Sequence, residues 1–186
     1  MLNTKEIKRK VWHALWGIAL AFAVLKTYPF VIQILLIGLL LLLMTLKTAH
    51  KHGYHLWLVD DIMEELIRKD RSIDGAIYFI LGSLIVSLLF SQKIAAVSIL
   101  ILGISDSLAT IVGVHSSHRI YKKKTIEGSL AFFISSFLIV SVSFNFMSAL
   151  IVGLASTLIE LFGEIDDNLL VPPTSALLLA FTKGLI

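Results

Sequence analysis

Seven apolar stretches separated by polar loops most constrain how this chain can fold. They span residues 11–25, 30–46, 73–90, 94–114, 128–144, 147–162 and 172–186. A helix needs about 20 mainly apolar residues to cross a bilayer core of about 30 Å. The first and last stretches are shorter, so we expect them to be thinly covered by lipid at their ends or to be packed inside the bundle. The pattern predicts an all-α fold: a polytopic transmembrane helical bundle of about seven spans, with residues 1–186 forming one domain.

The composition is typical of a membrane protein whose main partner is the lipid bilayer. Charged residues make up 16% of the chain and hydrophobic residues 57%, whereas an ordinary soluble domain has about 25% charged residues. A net charge of +3 would suggest nucleic acid in a soluble chain, but here the basic residues lie in short loops. We therefore expect no nucleic-acid partner. The absence of cysteine excludes disulfides and thiolate metal sites.

The distribution of lysine and arginine predicts the orientation in the membrane. If the N-terminus is inside, 13 of the 16 basic residues fall on the cytoplasmic face, and cytoplasmic loops of membrane proteins carry such an excess. We therefore predict a cytoplasmic N-terminus and an active site that faces the cytoplasm. The membrane would be the plasma membrane of a prokaryote, or the endoplasmic reticulum or plastid membrane of a eukaryote.

One carboxylate lies within the fourth apolar stretch. Asp106 stands among small residues, and Ala109, Thr110 and Gly113 follow on the same helical face. An ionised carboxylate in hydrocarbon costs several kcal/mol unless a cation, hydrogen bonds or water meet it, so it indicates a functional site. The alternative is that Asp106 only joins helices through hydroxyl partners.

A second group of acids lies between the sixth and seventh stretches. Four acids, Glu160, Glu164, Asp166 and Asp167, fall on the face predicted to be cytoplasmic, followed by Asn168. Clustered carboxylates suit Mg²⁺, which keeps several waters and is shared with substrate phosphates. Asn168 would add a carbonyl ligand or a helix cap. The alternative is a solvated acidic loop that balances the nearby lysines.

The sequence KKKTIEGS precedes the fifth stretch. Its three consecutive lysines, Lys122 to Lys124, are an orientation signal, a lipid-headgroup contact or a phosphate clamp. Glu127, Gly128 and Ser129 then open a helix, whose N-terminal amides can bind phosphate oxygens, and a glycine allows them to come close. No Walker or G-x-G-x-x-G sequence is present, so a soluble nucleotide-binding fold is not indicated.

The N-terminal sequence places two polar groups on one helical face. Lys10 and His13 are three residues apart, and Gly17 follows one turn later. These residues join a site below the membrane surface, or they are a snorkelling lysine and an interfacial histidine.

Taken in order, the pieces RKxxHxxxG, SDSLATIVG, KKKTIEGSLA and EIDDNLLVP resemble the CTP-dependent lipid-alcohol kinases, a family of dolichol and polyprenol, phytol and diacylglycerol kinases. The resemblance spans nearly the whole chain, although this chain has Ser105 where the family has glycine before the aspartate. It implies a membrane enzyme that moves the γ-phosphate of CTP, with a divalent ion, onto a membrane lipid alcohol. It also implies a nucleotide loop and a terminal acidic motif, formed by Lys124, Thr125, Glu127, Gly128 and Ser129 and by Asp166, Asp167 and Asn168.

We expect the pieces from the first, fourth, fifth and sixth stretches to converge near the inner leaflet. Asp106 is the leading candidate for the base. A cytidylyltransferase that makes a CDP-lipid, a membrane transporter and a structural membrane subunit remain alternatives. The candidate catalytic groups are Asp106, Lys124 and His13; the candidate nucleotide-binding groups are Lys10, Lys122, Lys123, Thr125, Glu127, Gly128, Ser129 and Asn168; the candidate Mg²⁺ ligands are Asp106, Glu160, Asp166 and Asp167.

Overall fold

The fold is an all-helical bundle, as the sequence predicts. A computed structural model of the chain describes residues 4–52, 73–121 and 124–182, so Lys122, Lys123 and the end of the seventh apolar stretch lie outside the described residues. The helices are α1 (Thr4–Lys26), α2 (Pro29–Lys51), α3 (Asp74–Leu89), α4 (Gln92–Val114), α5 (Ile126–Ser143), α6 (Phe146–Phe162) and α7 (Asp167–Thr182).

Each predicted apolar stretch overlaps one of these helices. Three of them, α2, α4 and α5, are long and apolar enough to cross a membrane. The helices α3 and α6 are apolar but shorter. The all-helical prediction is therefore confirmed, together with three candidate membrane spans.

Contacts between helix ends show that neighbouring helices alternate in direction. At one end, Lys47 near the end of α2 pairs with Asp74 at the start of α3. At the other end, the Gln92 side chain at the start of α4 donates to the carbonyls of Val24 and Thr27, at 2.8 and 2.6 Å, where α1 ends. We call the end that holds the start of α1 the N-terminal end of the bundle. The polar ends of α4 and α6 and the starts of α5 and α7 lie there too.

Helix α4 runs through the centre of the bundle and changes its winding midway. Its first part, Gln92–Leu100, is α-helical, Ile101–Ser105 forms a π-helical turn, and Asp106–Val114 is α-helical again. Such single π turns often occur at functional sites because they re-aim the side chains that follow. Asp106 is the first residue after this turn.

Helices α1 and α4 cross at two glycines. A Cβ built on Gly17 would lie 2.7 Å from the Cα of Gly103, and one built on Gly103 would lie 2.8 Å from the Cα of Gly17. Only glycine permits backbones to approach this closely. The crossing fixes α1 so that Lys10 and His13 lie beside Asp106.

Gly17→Leu is expected to destabilise the bundle by at least about 1–3 kcal/mol, because the new side chain meets the α4 backbone rather than a movable side chain. Gly38→Leu in α2 is the matched control, since a Cβ there meets nothing within 4 Å among the described residues. Thermal unfolding of the detergent-solubilised variants would compare them. Equal melting temperatures of the two variants would contradict the close contact between α1 and α4 at Gly17.

A short β-hairpin, which the sequence analysis did not predict, precedes α5. Strand β1 (Arg119–Tyr121) pairs antiparallel with β2 (Lys124–Thr125). The hairpin returns the chain to the bundle at Lys124. Thr125 then caps α5 by accepting a 3.1 Å hydrogen bond from the Gly128 amide, the usual role of threonine at a helix start.

Candidate functional site

Three carboxylates from three helices meet at the N-terminal end of the bundle. Asp106 of α4, Glu160 of α6 and Asp167 of α7 each place one oxygen within 4.8 Å of the others. Asp106 and Glu160 are buried, and Asp167 is partly exposed. We call these three residues the acidic cluster.

Two lysines neutralise part of the acidic cluster. Lys10 of α1, itself buried, donates to Oδ2 of Asp106. Lys124 of the hairpin donates to Oε1 of Glu160 and, at 2.9 Å, to Oδ2 of Asp167. With all five groups ionised, the three carboxylates exceed the two ammonium groups by one negative charge.

Lys124 keeps its charge although it is partly buried. Burial lowers the pKa of its ammonium group, but the carboxylates of Asp167 and Glu160 outweigh that effect and leave the pKa above its ordinary value. A lysine held between two acids therefore stays a cation at neutral pH. It is suited to bind a phosphate oxygen when one replaces a carboxylate.

The acidic cluster has an unused ligand atom. Glu160 is only 4% exposed, and its Oε2 has no hydrogen-bond partner within the described part of the chain. Leaving a buried carboxylate oxygen unpaired is costly, so the atom is available for a cation. Oxygens that share one Mg²⁺ are at most about 4.2 Å apart, so the cluster fits such an ion after a small adjustment.

His13 lies beside Asp106 on the α1 side. Its Nε2 is 3.6 Å from Oδ2 of Asp106, which is too long for a hydrogen bond, and it has no hydrogen-bond partner in residues 4–52, 73–121 and 124–182. The ring packs edge-on against Phe79 of α3, with centroids 5.1 Å apart. His13 is thus held in place with one ring nitrogen unsatisfied.

Asp166 and Asn168 have structural contacts at the start of α7. Asp166 is adjacent to Asp167 but lies outside the acidic cluster, and its Oδ1 accepts a 3.0 Å hydrogen bond from the Asn168 amide. The Asn168 side chain donates to the carbonyl of Gly75 at 3.1 Å and so joins α7 to α3. Of the four candidate Mg²⁺ ligands, the structure therefore brings three together.

The residues that open α5 also have contacts within the protein. Glu127 accepts hydrogen bonds from Ser116 and from His118 Nδ1, which tie it to the loop before the hairpin. A Cβ on Gly128 would lie 2.8 Å from the carbonyl oxygen of Ala109. Gly128 therefore has a packing role between α5 and α4, and close approach to a phosphate at this glycine stays a prediction. Ser129 Oγ is buried, with no hydrogen-bond partner in the described ranges.

Two features of the site were not predicted from the sequence. The π turn that aims Asp106 had a weak signal in Gly103, two residues before Ser105. Phe79, which holds the His13 ring, had none, since it lies within an apolar stretch like any core residue.

Comparison with known proteins gives two similar relatives. The uncharacterized protein MJ1137 of Methanocaldococcus jannaschii is 37% identical over 179 residues, which cover 90% of this chain and 89% of the relative. The uncharacterized protein RP860 of Rickettsia prowazekii is 30% identical over 188 residues, with 90% and 89% covered. No model of a known protein family matches the chain. No solved structure matches it either.

Proposed function

The chain belongs to the protein family that includes MJ1137 and RP860, and we propose that it is a membrane kinase that transfers the γ-phosphate of CTP to the hydroxyl of a membrane lipid alcohol. The seven helices of the described residues would all cross the membrane, with the N-terminus and the active site on the cytoplasmic side. The acceptor would be a polyprenol or dolichol, a phytol-like alcohol or a diacylglycerol, and the product a lipid monophosphate.

One observation carries the proposal. Three carboxylates and two lysines from α1, α4, α6, α7 and the hairpin converge at the end of the bundle that holds most of the basic residues that the structure describes. Phosphoryl transfer needs mainly positioning and neutralisation of charge, together with a group that orients or deprotonates the attacking hydroxyl. The acidic cluster and its two lysines supply these groups. The choice of CTP follows from the family resemblance, because the cluster suits any nucleoside triphosphate.

The acidic cluster would hold one divalent cation such as Mg²⁺, which supplies further neutralisation of the phosphate oxygens when bound. Lys124 would then turn from Glu160 and Asp167 to the phosphates, and Lys10 would keep Asp106 ionised. Asp106 would accept the proton of the lipid hydroxyl as the hydroxyl oxygen attacks the γ-phosphorus. The bond from the γ-phosphorus to the bridging oxygen breaks, and CDP leaves with that oxygen.

Transfer of the terminal phosphate is tested with labelled nucleotide. Purified protein in lipid nanodiscs is incubated with γ-labelled CTP, each of three acceptors (a polyprenol, phytol and a diacylglycerol) and either Mg²⁺ or a chelator. We expect the label to appear in the lipid fraction with at least one acceptor, and only when Mg²⁺ is present. Parallel reactions with ATP, GTP and UTP test the choice of donor.

The same assay separates the alternatives. A cytidylyltransferase releases the γ-label as pyrophosphate and leaves the cytidine on the lipid, so label in pyrophosphate would replace the kinase proposal. A transporter or a structural subunit consumes no nucleotide. If no nucleotide is consumed with any acceptor, the proposal is wrong.

A further inference from the structure

Nε2 of His13 is buried beside Oδ2 of Asp106 and has no hydrogen-bond partner in the described part of the chain. We call the space next to these two atoms the polar gap; a ligand enters it only when neighbouring side chains move apart. The ring nitrogen Nε2 is 3.6 Å from the carboxylate oxygen Oδ2. An oxygen atom about 2.8 Å from both would form a hydrogen bond with each of them. Lys10 donates to the same carboxylate oxygen, and a carboxylate oxygen has a second lone pair for another donor.

The gap lies on the more exposed side of the site, toward α1. Side-chain exposure rises from 8% for Asp106 and 11% for Lys10 to 20% for His13. On the same helix, Trp12 and Trp16 are 50% and 60% exposed, and exposed tryptophans mark the level of the lipid headgroups. A ligand that reaches the gap from the bilayer therefore keeps its apolar chain in lipid while its polar group contacts His13.

We propose that this gap binds the hydroxyl of the lipid alcohol, with Nε2–H of His13 donating to the hydroxyl oxygen and the hydroxyl donating to Oδ2 of Asp106. The inference rests on the proposed function, to which it adds the position of the acceptor. Phe79 fixes the plane of the histidine ring by its edge contact. The hydroxyl proton then already points at the carboxylate that accepts it, and the hydroxyl oxygen is held for attack. A bridging water is the alternative occupant.

Binding of the hydroxyl is tested without any turnover. The chain has six histidines, and in ¹⁵N-histidine-labelled protein in nanodiscs the His13 signals are assigned with the His13→Gln variant. Farnesol, phytol and dioctanoylglycerol are each added and compared with their O-methyl ethers. We expect at least one alcohol to shift the His13 Nε2 signal while its ether does not. If no alcohol shifts the signal, or if each ether has the same effect as its alcohol, the inference is wrong.

Substitutions test the role of His13 itself. Affinity is measured with a tritiated form of an alcohol that shifts the His13 signal. His13→Phe keeps a ring against Phe79 but has no donor, so we expect it to weaken binding of this alcohol by about three- to tenfold. His13→Gln retains an N–H donor and should restore part of that affinity. His115→Phe is the matched control, because the His115 ring is exposed and contacts only the Ile111 carbonyl, at 2.8 Å, among the contacts described for it. Equal affinity of wild type and His13→Phe would contradict the inference.

Kinetics add a second test and separate the two proposals. In an active preparation, His13→Phe should raise the KM for the alcohol and leave the KM for the nucleotide unchanged. A rise in both KM values would assign His13 to general structure instead. If no label reaches any lipid and an alcohol still shifts the His13 signal, the kinase proposal fails while the hydroxyl site stands.

Discussion

Asp106→Asn is expected to lower transfer of the γ-phosphate to the lipid alcohol by about 10²- to 10⁴-fold, the range found when a general base is removed. Asparagine has nearly the same shape as aspartate, but it neither accepts the hydroxyl proton nor carries charge toward a cation. The measurement is the rate at which label from γ-labelled CTP enters the lipid fraction. Membrane content of the variant is measured alongside.

Asp106→Asn has a second expected effect, on stability. It leaves the ammonium group of Lys10 buried without its carboxylate partner, and breaking one side of a buried ion pair costs about 3–5 kcal/mol. The double variant Lys10→Met, Asp106→Asn removes both charges. We expect its melting temperature to return toward that of wild type while its activity stays lost.

Two results would contradict this role for Asp106. Full activity of Asp106→Asn would exclude it from the reaction. Recovery of activity in the double variant would show that Asp106 only balances the charge of Lys10. Asp74→Asn is the matched control, because Asp74 pairs with Lys47 at the same end of the bundle and both side chains are exposed, at 39% and 47%. Such exposed pairs contribute at most about 1 kcal/mol, so activity and stability should change little.

The positions of the helices could be predicted from the sequence because hydropathy is a local property. Each apolar stretch overlaps one helix, but the ends of three helices differ from the predicted ones. Helix α2 ends at Lys51, five residues beyond the predicted stretch. Helix α1 begins at Thr4 and α7 at Asp167, several residues before the apolar segments. Their first turns carry Glu6 and Asp167, and acids at a helix start interact favourably with the helix dipole. Hydropathy locates the apolar part of a helix and not its polar first turn.

The residues that form the site could be predicted from the sequence, but the contacts between them could not. Alternation of the helices is enough to bring Asp106, Glu160 and Asp167 to one end of the bundle. The choice of Asp167 over Asp166 depends on the direction in which each side chain leaves the helix start, which a run of two acids leaves open. Likewise, Lys10 pairs with Asp106 because α1 and α4 cross at Gly17, and this long-range contact has no local signal.

Lys124→Met is expected to lower label transfer by at least about 10²-fold, the loss seen when a donor to developing negative charge is removed. Lys124 is the lysine that bridges two carboxylates of the acidic cluster. Methionine preserves the length of the apolar stem but supplies no donor to a phosphate. The loss should appear in the reaction rate and in the KM for the nucleotide.

The same substitution should have the opposite effect on binding of a metal alone. The ammonium group of Lys124 contacts the carboxylate oxygens of Glu160 and Asp167, so a cation must displace it to reach them. Without nucleotide, we therefore expect Lys124→Met to bind Mn²⁺ at least about tenfold more tightly, a difference of about 1.4 kcal/mol. Electron paramagnetic resonance of free Mn²⁺ gives the affinity directly and requires no catalysis.

Mn²⁺ binding and nucleotide binding should change in opposite directions if Lys124 moves from the carboxylates to the phosphates. A purely structural role for Lys124 would not produce this difference. If Lys124 only held the hairpin against the bundle, its loss would weaken binding of Mn²⁺ and of nucleotide together. Lys47→Met is the matched control, because Lys47 pairs with Asp74 at the same end but lies outside the acidic cluster, and it should change neither affinity. Weaker Mn²⁺ binding by Lys124→Met would therefore mean that the lysine organises the carboxylates instead of competing with the cation for them.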